Sequence, residues 1–255
     1  MRDDEAFDIL VDTPTKNSIK LRERRLDGSF LSPIDYARKS SIYRIVPGIA
    51  VSSRQAIDLH FRESIRTINT LAVDPSSSSE IVLAKILLAE EFDIEPQIVP
   101  VMGPLAAMLS KADAALLVGD AVLLESPSHV NRLDLLELWC ETTELPYVHG
   151  FWCGRENDLS VQEIRRIQSS QQSGVAALDT IAFEASRGQG MNLTPQEIKE
   201  YLDLFSYDFT NEVSDAVREF LSYAHYHGIL PDIADLNFYS PEPSKPGAVS
   251  HPSFN

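Results

Sequence analysis

The chain has few basic residues and few cysteines for its length. Among 255 residues, 22 are Lys or Arg and 38 are Asp or Glu, so the formal net charge is −16. Binding to a phosphate backbone needs clustered positive charge, which argues against a nucleic acid partner. The only cysteines are Cys140 and Cys153. So few cysteines suit a protein of a reducing compartment. We expect both thiols to be ordinary, partly buried side chains and not a catalytic pair.

Long apolar runs are also missing. No stretch approaches the length of a membrane span, so we expect no membrane partner. Residues 1–5 are acidic and lack the apolar core of a secretion signal. These absences predict a cytoplasmic protein. Hydrophobic residues make up 44% of the chain, which is enough for the core of one large domain or two lobes.

Strand-like and helix-like patterns alternate over the first half of the chain, which predicts an α/β fold. The predicted strands are residues 7–11, 42–51, 57–61, 70–73, 97–101 and 114–118, and the predicted helices are 17–26 and 81–92. The alternation along 57–61 is typical of a half-buried strand, whereas 97–101 and 114–118 are continuous apolar runs. We therefore expect a sheet with largely parallel pairing.

The second half is predicted to be helical. Ser160 with Glu163, and Thr194 with Glu197, have the spacing of capping boxes that begin helices. A further helix over 211–227 should end at Gly228. The proline-rich tail after residue 236 is predicted to be irregular.

Four consecutive serines, Ser76, Ser77, Ser78 and Ser79, lie between a predicted strand and a predicted helix. One serine would be sufficient to cap the helix. Four hydroxyls beside backbone N–H groups that lack helical partners can instead donate to an anion. The run therefore favours a donor-rich turn facing a cleft, with simple capping as the alternative.

Further candidates follow the buried strands. Asp120 comes directly after strand 114–118, where α/β proteins place ligands, and it either caps a helix or shapes a cleft and accepts from a hydroxyl. Tyr147 has a polar tip and fits either a core or a binding site. His149 is a candidate general base, although a lone strand histidine is more often structural. Trp139 and Trp152 are expected in the core.

No metal or redox cofactor is expected. His225 and His227 lie two residues apart on a predicted helix, so they do not share a face. Nothing near them in the sequence supplies a third ligand.

In order and spacing, the chain resembles the chorismate dehydratase family of the futalosine route to menaquinone over about residues 7 to 230. The segments that carry the resemblance are the serine run after Asp74, residues 112–121 and residues 134–152, preceded by 12–14, 26–27, 32–36 and 46–51. The resemblance implies an α/β, two-lobed type II periplasmic-binding-protein-like fold with a cleft between lobes and a helical C-terminal part. Lobe 1 would comprise 1–57 and 150–255, lobe 2 would comprise 58–149, and 56–61 and 147–152 would cross between them.

The resemblance also implies a reaction, the removal of water from chorismate to give 3-[(1-carboxyvinyl)oxy]benzoate. Ser76, Ser77 and Ser79 would anchor a substrate carboxylate, with Ser32 contributing from the other lobe. Ser78 stands where relatives commonly carry a basic residue. No side chain is an obvious catalytic base, and the substrate's own carboxylate is the hypothesis for that role.

Two departures from the family pattern bear on activity. Relatives begin with an extra strand that ends in an aromatic-Leu-Asn turn, whose Asn lines the active site. Here either the gene start lies upstream or the protein lacks that strand. Leu59 falls where relatives place the Ser of a Gly-Pro-Val-x-Ser turn. The alternative function is therefore a non-catalytic or divergent cytoplasmic protein that binds a small carboxylate.

Overall fold

The structure, a computed structural model, describes residues 7–125, 131–188 and 193–240. The elements of its first half are, in order, α1 (Pro14–Arg22), β1 (Gly28–Leu31), α2 (Pro33–Ala37), β2 (Tyr43–Ser53), β3 (Ile57–Phe61), β4 (Thr70–Val73), α3 (Ser78–Phe92), β5 (Gln97–Pro100), α4 (Leu105–Leu109) and β6 (Ala114–Val118). Those of the second half are α5 (Asp120–Leu124), β7 (Arg132–Asp134), α6 (Leu135–Thr143), β8 (Tyr147–Arg155), α7 (Val161–Ala176), α8 (Leu178–Ser186), α9 (Pro195–Leu202), β9 (Phe205–Asp208) and α10 (Asn211–Tyr226).

The strands form two sheets. The first has the order β1-β8-β2-β9, and all of its pairs are antiparallel. Its central strand β8 pairs Phe151 with Leu31 of β1 and also with Ala50 of β2. The pairing of β2 slips between Ile45 and Ala50, where Gly48 has a φ of +82°. Pro47, the preceding residue, has no N–H to donate to this pairing.

The second sheet has the order β5-β4-β6-β3-β7. Strand β4 is parallel to β5 and β6, whereas β3 is antiparallel to β6 and β7. The expectation of largely parallel pairing is therefore wrong. Parallel neighbours need a helical crossover, and in this sheet α3 and α4 supply crossovers only between β4, β5 and β6.

Short links join the two sheets. Residues 54–56 connect β2 of the first sheet to β3 of the second, and residues 144–146 connect α6 to β8. Each of the two strands predicted to cross between lobes, β3 and β8, pairs within one sheet only. The lobe boundaries at 57/58 and 149/150 stay a prediction.

The strand predicted over residues 7–11 does not form. These residues are extended but unpaired, and Ile9, Leu10 and Val11 are 38%, 52% and 76% exposed. A strand persists only when a neighbour takes up its backbone hydrogen bonds, and no strand within the described ranges pairs with this segment. The next helix begins earlier than predicted, because the Thr13 hydroxyl accepts from Lys16 N and Pro14 occupies the first turn.

Strand β3 is buried on both faces, so the half-buried interpretation of its alternation is wrong. Even Asp58 and His60 are only 3% and 2% exposed. Helix α6 packs on β3, and the guanidinium of Arg132, in β7, lies 2.7 Å from the Asp58 carboxylate. An ion pair of this kind offsets part of the cost of burying the charge.

The helical second half largely follows its local signals. Both predicted capping boxes are present at the starts of α7 and α9. Helix α10 is followed by Gly228 with a φ of +67°, as expected. Strand β9 was not predicted, and it adds to the edge of β2. The tail after residue 236 forms one isolated bridge, between Ile45 and Phe238, and its remainder from 241 lies outside the described residues.

Trp139 is fully buried and makes edge contacts with the rings of Phe220 and Tyr223, so it lies in the core, as expected. Trp152 is partly buried. Within 7–125, 131–188 and 193–240, no helix has the length and apolarity needed to cross a membrane.

We predict that Gly150→Ala destabilises the protein. A Cβ at this position would lie 2.5 Å from the Leu31 carbonyl oxygen and 2.5 Å from the Phe30 ring, so β1 and β8 would have to separate. The expected loss in the free energy of unfolding is about 1–3 kcal/mol, measured by urea denaturation. Gly174→Ala in α7, where nothing lies within 4 Å, is the control and should gain about 0.5–1 kcal/mol. Equal stability of the two variants would contradict the close packing.

Candidate functional site

The serine run follows β4 and opens α3, as predicted: Ser76 and Ser77 lie in the turn, and Ser78 and Ser79 are the first two residues of the helix. The backbone N–H and the hydroxyl of Ser76 both donate to Asp74 Oδ1 at 2.8 Å, which closes the turn. Ser77 is the N-cap residue of α3, but its side chain makes no capping hydrogen bond. Because Ser77 is half-buried and uncommitted as a cap, its hydroxyl is available at the helix N-terminus.

The hydroxyls of Ser32 and Ser78 converge on one carboxylate of the protein itself. Each donates to Asp35 Oδ2 at 3.0 Å, and the two hydroxyl oxygens lie 3.4 Å apart. The Asp35 side chain is 3% exposed, and Arg38 lies 3.3 Å from its other oxygen. This cluster joins the starts of α2 and α3. Two of the hydroxyls predicted to face a ligand are therefore donated to an internal anion.

Two further predicted site residues, Ser79 at the start of α3 and Tyr147 in β8, are buried. Ser79 is fully buried, and its hydroxyl accepts from Ile34 N at 3.1 Å. Tyr147 is 1% exposed. Burial, with the nearby charge of Glu80, raises the pKa of Tyr147 well above its ordinary value, while the Ser79 hydroxyl opposes this shift. Tyr147 is thus a neutral phenol next to the turn.

Sequence reasoning missed Asp35 and Glu80. Glu80 lies in the first turn of α3, and burial together with the charge of Asp35 raises the pKa of its carboxyl to about 7. A capping-box spacing after Ser32 was a usable signal for Asp35. No local pattern indicates that Glu80 is buried, because an acidic residue in a first helical turn is ordinarily explained by the helix dipole alone.

Asp120 lies at the carboxyl end of β6, as predicted. It is not the N-cap of the following helix, which was one of the two roles considered for it. Gly119, with a φ of +64°, is the N-cap of α5, and Asp120 is the first helical residue and is exposed. Burial and, after it, the charge of Asp120 raise the pKa of Tyr201, in α9, to about 12. Within the described part of the chain, no hydrogen bond or ion pair joins Asp120 to the serine turn.

His149 is paired with Ser53. Its Nε2 lies 2.7 Å from the Ser53 hydroxyl oxygen, and that hydroxyl donates to the Gln55 carbonyl at 2.8 Å. Nε2 therefore carries the proton that it donates to Ser53. Burial lowers the pKa of His149 to about 4, so the ring is neutral at pH 7. This favours the structural interpretation over the general-base hypothesis.

The other candidates are separate from one another. His225 contacts the Leu230 carbonyl and His227 contacts Glu90, so the two histidines do not form a site. Cys140 and Cys153 are free thiols, and burial raises the pKa of both. In the described part of the chain, no group of three or more His, Cys, Asp or Glu residues is placed to hold a metal ion.

A cavity of about 490 Å³ lies between the second sheet and α9. Arg132 and Tyr201 line it, together with four carboxylate side chains: Asp134, Glu137, Glu197 and Glu200. The excess of negative charge makes this cavity a poor site for a carboxylate ligand. The serine turn remains the better candidate.

Comparison with known proteins identifies the family. The sequence profile described as menaquinone biosynthesis matches residues 1–226. The chain belongs to this menaquinone biosynthesis family. One curated relative of this chain is the chorismate dehydratase of Thermus thermophilus. The two sequences are 25% identical over 224 residues, which cover 80% of this chain and 81% of the relative.

Solved structures establish the fold of this family member. A protein from Archaeoglobus fulgidus superposes with a TM-score of 0.68 at 20% identity, covering 87% of this chain and 86% of the other. A Candida albicans protein with the generic periplasmic-binding-protein fold superposes with a TM-score of 0.60 at 10% identity, covering 91% of this chain and 86% of the other. The expected α/β, periplasmic-binding-protein-like fold is thus confirmed.

We predict that Glu80 makes stability fall with rising pH. Its pKa of about 7 exceeds the ordinary value of 4.5, so between these values the folded protein keeps a proton that the unfolded chain releases. The contribution of Glu80 to the free energy of unfolding is fully present below pH 4.5, falls between pH 4.5 and pH 7 and is lost above pH 7. The total change is roughly 3 kcal/mol. Glu80→Gln should remove this slope and be the more stable protein at pH 8.

Urea unfolding at pH 5 and pH 8 measures the difference between the two proteins. Glu141→Gln, an exposed change on α6, is the matched control and should keep the wild-type slope. Parallel pH profiles of wild type and Glu80→Gln would show that Glu80 is ionised in the folded state.

Proposed function

We propose that the chain is a chorismate dehydratase-like lyase, which removes water from chorismate and releases 3-[(1-carboxyvinyl)oxy]benzoate. The match to the Thermus thermophilus enzyme, over four-fifths of both chains, carries this proposal. The family's link to menaquinone biosynthesis supports it independently. We place the protein in the cytoplasm because its substrate class and free thiols belong there.

The reaction breaks one C–H bond of the ring and the C–O bond to the ring hydroxyl, and the ring becomes aromatic. A base takes the ring proton, and a donor protonates the departing hydroxyl so that water leaves. No electrons are exchanged with a cofactor. In our proposal the substrate carboxylate that is not held by the protein acts as the base, and the serine turn orients the substrate.

Ser77 is the residue to which we assign the principal contact with a substrate carboxylate. It stands at the N-terminus of the 15-residue helix α3, and its hydroxyl does not cap that helix. Ser76, Ser79, Ser32 and Ser78 support the turn through the hydrogen bonds described above. Asp120 and Tyr147 are proposed to border the bound ligand, Asp120 by accepting from a hydroxyl.

The second candidate is a protein of the same fold that binds a small carboxylate without reaction. The specific observation in its favour is the Asp35 carboxylate, which occupies the hydroxyls of Ser32 and Ser78. With these two hydroxyls committed to Asp35, fewer donors remain to stabilise a transition state, whereas Ser77 is still available to bind a carboxylate.

Incubation of the purified protein with chorismate, followed by mass spectrometry, tests both candidates. We expect an enzyme-dependent product lighter than chorismate by one water. Chorismate that binds, by calorimetry, without forming this product would support the second candidate. Absence of both binding and product from the folded protein would contradict the first candidate and would restrict the second to carboxylates other than chorismate.

We predict that Ser77→Ala weakens substrate binding. Loss of one hydrogen bond to a charged group costs about 1.5–3 kcal/mol, so the dissociation constant for chorismate should rise about 10-fold to 100-fold. Ser173→Ala, an exposed serine on α7, is the control. Unchanged affinity in Ser77→Ala would remove Ser77 from the site.

A further inference from the structure

The N-terminus of α3, to which we assign the substrate carboxylate, has a carboxyl of the protein beside it. Glu80 is the third residue of α3 and follows the N-cap residue Ser77 by three positions. Side chains with this spacing meet over the first helical turn, as they do in a capping box. Glu80 is only 8% exposed, so its carboxyl is buried beside the serine turn. A charge on Glu80 would therefore act at the same helix end as a bound carboxylate.

The neighbours of Glu80 on α2 and β8 do not neutralise a charge on it. Asp35 of α2 acts on Glu80 with its own negative charge. Arg38, which directly follows α2, is exposed and lies 3.3 Å from Asp35 Oδ1. Tyr147 of β8 is 1% exposed, and the charge of Glu80 contributes to raising its pKa. Glu80 thus lies next to an acidic and a phenolic side chain.

The other elements that pack on α3 are α6, α10 and β6. A threonine hydroxyl of α6 donates to Glu91, and His227, directly after α10, lies 2.8 Å from Glu90. At 1.5 Å per residue, these contacts are about 15 Å along the helix from Glu80. Strand β6 contains no titratable residue, and Lys85 of α3 itself is exposed. The charge of Asp35 is therefore the one that bears on Glu80 most directly.

The hydroxyl of Tyr147 is an acceptor short of a complete network. Among the residues that the structure describes, this buried hydroxyl has no hydrogen-bond partner, which is uncommon for a buried polar group. If Glu80 loses its proton, the hydroxyl gains a neighbouring carboxylate to which it can donate. The two protonation states of Glu80 therefore differ in their hydrogen bonds as well as in their charge.

A ligand carboxylate at Ser77 distinguishes between these two states. It is repelled by an ionised Glu80 at the same helix end, in a poorly solvated region, and it is not repelled by the protonated form. Burial and the charge of Asp35 raise the pKa of Glu80 to about 7, so both forms are populated near neutral pH. A ligand that binds the protonated form more tightly shifts Glu80 toward that form.

We propose that Glu80 couples carboxylate binding at the serine turn to the uptake of one proton, so that affinity falls as the pH rises through neutrality. Without ligand at high pH, Glu80 is ionised and accepts from Tyr147. Binding of the ligand restores the proton and breaks this hydrogen bond. The proposal rests on the carboxylate contact assigned to Ser77 in the proposed function, and it names the regulation of that site.

Calorimetric titration of the full chain at pH 6, 7 and 8, with chorismate and separately with benzoate, tests the proposal. Benzoate has no hydroxyl to lose, so its binding is measured without turnover. Each titration is run in two buffers that differ in ionisation enthalpy, because the difference in heat gives the number of protons taken up. We expect affinity to fall about tenfold from pH 6 to pH 8, with uptake of about half a proton per ligand at pH 7.

Variants assign the proton to Glu80. Glu80→Gln cannot ionise, so its affinity should be the same at pH 6 and pH 8 and its binding should take up no proton. Glu91→Gln, an exposed change at the far end of the same helix, is the matched control and should keep the wild-type dependence. Tyr147→Phe removes the donor to the ionised form, so the fall in affinity should move to higher pH.

Three outcomes would overturn the proposal: equal affinity of the wild type at pH 6 and pH 8, no proton uptake by the wild type, and an unchanged pH dependence in Glu80→Gln. No binding of either carboxylate at any of the three pH values would overturn it together with the assignment of Ser77. Product from chorismate is scored separately. Formation of product with pH-independent binding would overturn this proposal and leave the dehydratase function standing, whereas pH-dependent binding without product would do the reverse.

Discussion

Strand β8 is paired along both of its edges, and the positions of the other elements depend on this. It lies between β1 and β2, although these strands come more than ninety residues earlier in the chain. Helices α2, α6 and α10 all pack on it. Gly150 and Gly154 allow neighbouring backbone to approach where a Cβ would lie 2.5 to 2.7 Å from it. The return of the chain through β8 thereby places Tyr147 behind the serine turn.

Electrostatics inside the serine turn then determine what the site offers a ligand. The Asp35 carboxylate takes donors from Ser32 and Ser78, and its charge contributes to keeping Glu80 protonated near neutral pH. A nearby negative charge disfavours ionisation of a buried carboxyl, so Asp35 adds to the effect of burial on the pKa of Glu80. The turn therefore has fewer free donors than its four serines indicate, and Ser77 is the one left uncommitted at the helix start.

Membership of the menaquinone biosynthesis family and the two-sheet fold constrain function to different degrees. The same fold occurs in a protein from Parabacteroides distasonis described as an ABC transporter, which superposes with a TM-score of 0.61 at 16% identity and covers 90% of this chain and 86% of its own. Fold alone is compatible with carriers and enzymes. The family match makes lyase chemistry the leading proposal, and the arrangement around Asp35 is the feature on which catalysis or simple binding depends.

The sequence by itself determined the elements with strong local signals. The turn at Ser76, the capping boxes of α7 and α9, and the end of α10 before Gly228 follow from hydrogen bonds between residues a few positions apart. Tertiary structure alone decided that β3 is antiparallel and buried on both faces, that residues 7–11 stay unpaired, and that Asp35 reaches Ser78. These outcomes depend on which distant segment is a neighbour. Pairing partners and burial are properties of the assembled chain, and local sequence carries no direct signal for them.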